Sequence, residues 1–207
     1  MVRLLLVDGT NLLFRSHFAL ISNPLVNSKN VDVSVPFQFT KTLCRLISSV
    51  NPTHATVVFD PPDGSAARRA LYPQYKTSRS PTPENIVASR PVVERMLRWM
   101  GLCTVSFPGH EGDDTIASIC QAMVNARDRP QITIFSSDKD FCQLLQHGVE
   151  ILKPRSGSLK YATITESSFQ HEFGLSPSQF VDMTALMGDK VPPSSDYTSD
   201  GCQQLRH

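Results

Sequence analysis

Four short apolar runs, each closed by acidic residues, constrain this chain more than any other feature. Val2–Val7 runs into Asp8, and Ala55–Phe59 into Asp60. Cys103–Phe107 leads to Glu111-Gly112-Asp113-Asp114, and Ile132–Phe135 to Ser136-Ser137-Asp138-Lys139-Asp140. Val2–Val7 and Ala55–Phe59 look like strands buried on both faces, and the other two runs read as a third and a fourth strand. Helical patterns separate them. Asn11–Leu20 is predicted helical, and Phe39, Leu43, Leu46, Ile47 and Val50 keep amphipathic spacing until Asn51-Pro52 stops the helix. Ile86, Val93, Leu97 and Met100 mark another helix, which Pro91 is expected to kink or restart. Ile116, Ile119, Cys120 and Met123 are the expected core face of the next. The alternation predicts an α/β fold, a mostly parallel sheet with helices on both faces.

Later segments add a short helix over Phe141–Gln146, strands over Val149–Lys153 and Lys160–Thr165, and a last helix from Ser176-Pro177 through Met187. Pro61 to Pro83 is rich in Pro, Gly, Ser and cations and is expected to be a long loop or partly helical excursion. Residues 190–207 lack periodicity and are expected to be a disordered tail behind a catalytic domain of residues 1–189. A 207-residue chain with 40% hydrophobic and 19% charged residues excludes collagen-like, wholly disordered and disulfide-stapled classes. No apolar run approaches the roughly 18 residues of a membrane span. The first strand begins so near Met1 that no signal or transit peptide is expected. Cys44, Cys103, Cys120, Cys142 and Cys202 form no C-x-x-C pair and read as reduced core residues of an intracellular protein. Trp99 continues a helical pattern and is expected to be structural.

The net charge of +1 conceals polarity along the chain. Ala66 to Arg98 holds seven cations (Arg68, Arg69, Lys76, Arg79, Arg90, Arg95, Arg98) against Glu84 and Glu94. Such a segment suits phosphates. Tyr72 and Tyr75 within it would suit base stacking, with plain core packing the simpler expectation.

The acids gather at the opposite pole. Asp8, Asp60, Glu111, Asp113, Asp114, Asp138 and Asp140 lie at or just after expected carboxyl ends of strands, and Asp189 at the end of the last helix. In a parallel sheet those ends converge on the ligand crevice. That many carboxylates cannot all remain ionised together without cations. Oxygen ligation without His or Cys points to Mg²⁺ or Mn²⁺ rather than zinc. Two such ions about 4 Å apart suit phosphodiester hydrolysis. A phosphotransferase with a nucleophilic aspartate would want D-x-D, and Asp8-Gly9-Thr10 does not supply it.

LLLVDGTNLLFRSHFA, THATVVFD, LYPQYKTSR, GHEGDDTIA, SSDKDFCQLL and FVDMTALMGD occur in the order seen in the 5′→3′ exonuclease and flap-endonuclease family, which the chain resembles over roughly Arg3–Lys190. That family includes the small 5′-nuclease domain of bacterial DNA polymerase I. The resemblance implies a PIN-like domain and a structure-specific nuclease of replication and repair, cutting DNA at 5′ ends and flaps. It aligns Asp8, Asp60, Glu111, Asp113, Asp114, Asp138, Asp140 and Asp189 with the metal-site acids, here for two Mg²⁺ ions with Mn²⁺ as substitute. It matches Arg68, Lys76 and Arg79 to the DNA-binding basic segment that leads into a helical arch, with Lys76 and Arg79 as catalytic residues. The expected partner is DNA with a 5′ flap or 5′ end, bound by a monomer, with no membrane partner.

The family motif continues G-D-x-x-D-N and then a glycine-rich duplex-binding element. Here Pro192 stands where the second Asp would be, and the glycine-rich element is absent. The tail thus reads as the unrelated terminus of a truncated form, with low activity and reduced metal affinity expected. The rival readings are a weak or inactive nucleic-acid-binding protein of the same fold, and a related metal nuclease that cuts RNA.

Overall fold

In the computed structural model, residues 2–77, 79–126, 129–155 and 161–187 are described. A six-stranded sheet has the order β3-β2-β1-β4-β5-β6. β1 (Arg3–Asp8) lies between β2 (His54–Val58) and β4 (Gln131–Phe135), parallel to both. β3 (Cys103–Val105) extends the parallel pairing beyond β2, and β5 (Val149–Pro154) beyond β4. β6 (Tyr161–Ile164) runs antiparallel, against β5. The chain therefore steps from β1 to β2 and β3 on one side, then returns to β4 on the other. That reversal opens a crevice at the carboxyl ends of β1 and β4.

The alternation of side chains along β1 explains the two layers. Leu5 and Val7 face a core formed with α1 (Gly9–Leu20), α2 (Ser34–Val50) and α4 (Glu84–Trp99), through residues such as Leu12, Phe39, Leu43 and Val93. Leu6 faces the other way, toward Ile116 and Cys120 of α5 (Gly112–Val124), and Phe141 and Leu145 of a 3₁₀ helix, Lys139–His147. Phe169 of α6 (Glu166–Phe173) and Phe180 of α7 (Pro177–Met187) complete that second core. Helices thus cover both faces, as the apolar runs required. Among the described residues no helix is long and apolar enough to cross a membrane.

Several expectations change in detail. Helix α4 runs through Pro91 as one element. Pro91 is on the exposed side, so the Val87 carbonyl left without its donor faces water rather than core. The short helix after β4 is wound as 3₁₀, and β3 stops at Val105. Helix α6 was not foreseen, although Thr165 and Ser168 form a reciprocal capping box and Gly174, with φ 67°, ends it. Trp99 is not a core residue but 76% exposed, with Arg95 over its ring. It lies two residues beyond Leu97, which puts it on the far side of the helix. Cys120 and Cys142 are buried, with burial pushing their thiols up to about 12 and about 11, whereas Cys44 and Cys103 are exposed. Cys202 and the 190–207 tail lie outside the described residues.

Leu6 is wholly buried at the centre of the sheet. Leu6→Ala is expected to cost about 2–5 kcal/mol. A urea titration should show a lower midpoint with an unchanged slope.

Candidate metal centre

Each acid reaches the crevice by a short, backbone-determined route. Asp8 ends β1 and caps α1, its Oδ1 accepting from the Asn11 amide at 2.9 Å. Its Oδ2 accepts from the hydroxyl of buried Ser136 at 2.9 Å. That hydroxyl in turn accepts from the Asp138 amide at 3.1 Å, so the loops after β1 and β4 are tied through one side chain. A second tie runs from Asn11 Nδ2 to Ser137 Oγ at 2.8 Å. Asp138 caps the 3₁₀ helix, accepting from the Asp140 amide at 2.9 Å.

Asp60 is held from three sides. Its amide donates to Thr10 Oγ1 at 2.9 Å, and its carbonyl accepts from Arg90 Nη1 at 2.6 Å. Its Oδ1 accepts from the Gly112 amide at 2.5 Å, at the start of α5. That bond joins the Asp60 strand end to Glu111, Asp113 and Asp114. These three each offer an oxygen within 4.8 Å of the others, and Glu111 is only 5% exposed.

Burial first, and the charges of Asp60 and Asp138 to a smaller extent, push the Asp8 carboxyl up to about 6 against the two hydrogen bonds it accepts. Asp60 and Asp138 both lie close enough to act on Asp8 at one end of the crevice, and Glu111, Asp113 and Asp114 cluster at the other. Asp140 supplies its backbone amide to Asp138, while its own side chain is exposed. Asp189 lies outside the described residues.

The basic segment folds down onto this centre. Within it, α3 (Ala66–Leu71) is a single short helix with no buried side chain. Arg68 reaches inward, Nη1 bonding Glu111 Oε2 and Nη2 bonding Asp114 Oδ1 at 2.6 Å. Lys76 Nζ donates to Glu111 Oε1 at 2.6 Å. Arg79 is exposed, and its side chain has no partner among the described residues. Neither tyrosine packs in the core. Tyr72 is exposed with its hydroxyl on Gln74, and the Tyr75 hydroxyl donates to Glu111 Oε2 at 2.9 Å.

Reading the residues alone had not singled out Thr10, Asn11, Arg90 or Ser136. A signal was present for the first two, a hydroxyl and an amide two and three residues after an aspartate at a strand-to-helix turn. An all-oxygen donor set, partly neutralised by protein cations, fits a hard divalent ion. Asp8→Asn should test the electrostatic cost of the centre while keeping the cap. The raised Asp8 value means that its ionisation destabilises the fold above about pH 6 and that the penalty fades as pH falls toward the ordinary carboxylate range. In metal-free buffer at neutral pH the variant is expected to gain about 1–3 kcal/mol. Thermal melts from neutral to acid pH should show the gap closing.

The pattern described as "5′-3′ exonuclease, N-terminal resolvase-like domain" matches residues 3–174. A 5′-3′ exonuclease of Aquifex aeolicus (strain VF5) is 31% identical over 191 residues, covering 92% of this chain and 63% of that protein. The DNA polymerase I of Streptococcus pneumoniae serotype 4 is 33% identical over 191 residues, 91% of this chain but 21% of that protein. This chain thus spans about a fifth of the polymerase relatives and less than two thirds of the exonuclease. A bacteriophage T5 flap endonuclease, solved as a pseudo-enzyme–product complex with DNA and metal ions, shares the fold with a TM-score of 0.66 at 19% identity, over 93% of this chain and 71% of that one. On the match over residues 3–174, the chain belongs to the 5′-3′ exonuclease family, of which it carries the N-terminal resolvase-like domain.

Proposed function

We propose that the chain is a divalent-metal-dependent nuclease that hydrolyses phosphodiester bonds at 5′ ends or flaps of DNA. One observation carries this reading: the carboxylates after β1, β2 and β4 and at the start of α5 share one crevice, with a cationic segment folded over it. The relatives are named as 5′-3′ exonucleases and DNA polymerases I, and the T5 enzyme of the same fold was solved with DNA and metal ions. Both support the reading.

In this reading Asp8, Asp60 and Asp138 hold one ion, and Glu111, Asp113 and Asp114 the other. Asp140 and Asp189 complete the set. Two Mg²⁺ ions held there would supply an activated water and stabilisation of the departing 3′-oxygen. The protein's own groups do the rest. Ser136 and the Asn11–Ser137 pair fix Asp8 and Asp138 relative to each other. Gly112 holds the Asp60 carboxylate at the junction of the two halves. Lys76 lies at the centre, within reach of a scissile phosphate, and Arg79 faces solvent, where it meets a neighbouring phosphate of the same strand.

Pro192, in the position of an expected further acid, favours a second reading, a weakly active or purely DNA-binding protein of the same fold. A labelled 5′-flap DNA and its RNA counterpart, incubated with Mg²⁺, Mn²⁺ or EDTA, separate the readings. DNA cleavage is expected with either metal and none in EDTA. Asp113→Asn and Asp138→Asn are each expected to slow it roughly 100-fold or more. Equal residual rates in the wild type and both variants would remove the assigned centre. Preferential cutting of RNA would replace the substrate, and tight DNA binding without cleavage would establish the second reading.

A further inference from the structure

The two ends of the acidic crevice are neutralised very differently. None of the ion pairs among the described residues engages Asp8, Asp60 or Asp138. At the other end one guanidinium touches every acid. Arg68 Nη1 bonds Glu111 and lies 4.0 Å from Asp113 Oδ1, while Nη2 bonds Asp114. Tyr75 clamps the arrangement, its hydroxyl accepting from Arg68 Nη1 at 3.1 Å and donating to Glu111, with the guanidinium over its ring. Lys76 occupies the remaining oxygen of Glu111.

The oxygens that would bind a cation at this end are therefore engaged already by a cation of the chain. Helix α3 buries no side chain and has no side-chain cap. Lys76 sits at φ 57°, a left-handed backbone conformation that a lysine holds only under constraint. Among the described residues, the side-chain bonds that tie the segment to the acids are those of Arg68, Tyr75 and Lys76.

Resting on the two-ion reading above, we infer that Arg68 is an internal counter-cation that competes with the divalent ion for Glu111, Asp113 and Asp114. Arg68 is thus a positioning residue, acting through the acids rather than on the substrate. The crevice fills in two steps. The Asp8–Asp60–Asp138 end takes an ion directly, whereas the Glu111 end takes one only as Arg68 withdraws. Guanidinium and ion oppose each other at shared oxygens, so each lowers the affinity of those oxygens for the other by the same factor.

Titrating the full chain with Mn²⁺ alone, followed by calorimetry and by the loss of free-Mn²⁺ electron paramagnetic resonance signal, tests this without any activity measurement. The wild type is expected to show a tighter and a weaker step. In Arg68→Gln the weaker step is expected to tighten by roughly tenfold while the tighter one stays put. Tyr75→Phe, which loosens the clamp and keeps the charge, is expected to lie between them, and it preserves the test if Arg68→Gln folds poorly in EDTA. Mn²⁺ binding with the same or weaker affinity in both variants would overturn the inference and leave the two-ion reading intact. A wild type that binds no Mn²⁺ would overturn both.

Discussion

Like charge held at close quarters is the constraint around which this molecule is organised. Parallel strands deliver their carboxyl ends to one edge of the sheet, and here those ends carry acids. Their mutual repulsion favours separation, yet Asp8 cannot retreat because Leu5, Leu6 and Val7 are locked between two cores. Burial is the main cause of the rise of the Asp8 carboxyl to about 6, and the charges of Asp60 and Asp138 add smaller contributions in the same direction. The hydrophobic effect sets the positions, and electrostatics has to accept them.

Close approach, rather than charge, explains the glycines that follow two of the acids. A Cβ on Gly9 would lie 2.6 Å from the ring of Phe59, so the turn from β1 into α1 can press against β2 only without a side chain. A Cβ on Gly112 would lie 2.8 Å from Asp60 Oδ1, the atom its amide now holds. Phe59 is fixed in turn by its stack on Phe39 and by Arg90 above its ring. Asp60 therefore sits in a mould of backbone, glycine and arginine. Its carboxylate links the two halves of the crevice.

What could be read from the residues followed from local rules. Buried strands show as unbroken apolar runs, and α2 was legible from Phe39 to Leu46 because its core face repeats with helical spacing. The convergence of Asp8, Asp60 and Asp138 followed from strand ends in a parallel sheet. Hidden from such reasoning was everything fixed by contacts distant in sequence. Ser136 matters because it lies opposite Asp8 across two adjacent strands, 128 positions away. The inward turn of Arg68 depends on Glu111 and Asp114, 43 and 46 positions on. Trp99 misled because an apolar residue at the end of a helix continues the composition of the core face without continuing its direction.

Five of the seven cations between Ala66 and Arg98 therefore fall into two groups with different work, while Arg69 bonds Ser65 and Arg95 lies over Trp99. Arg68, Lys76 and Arg90 turn inward, to Glu111 and Asp114, to Glu111, and to the Asp60 carbonyl and Glu94. Arg79 and Arg98 are exposed and have no side-chain hydrogen bond or ion pair among the described residues. Charges already paired within the protein contribute little to the field outside it, so a count of residues overstates the attraction this face exerts on a polyanion. The inward set makes the acidic crevice tolerable in the absence of other cations. The outward set is what remains for a phosphate backbone. In the proposed reading, a cation drawn from the first group to the second would change both properties at once, so Arg68 and Lys76 would couple the charge of the crevice to the pull on a nucleic acid.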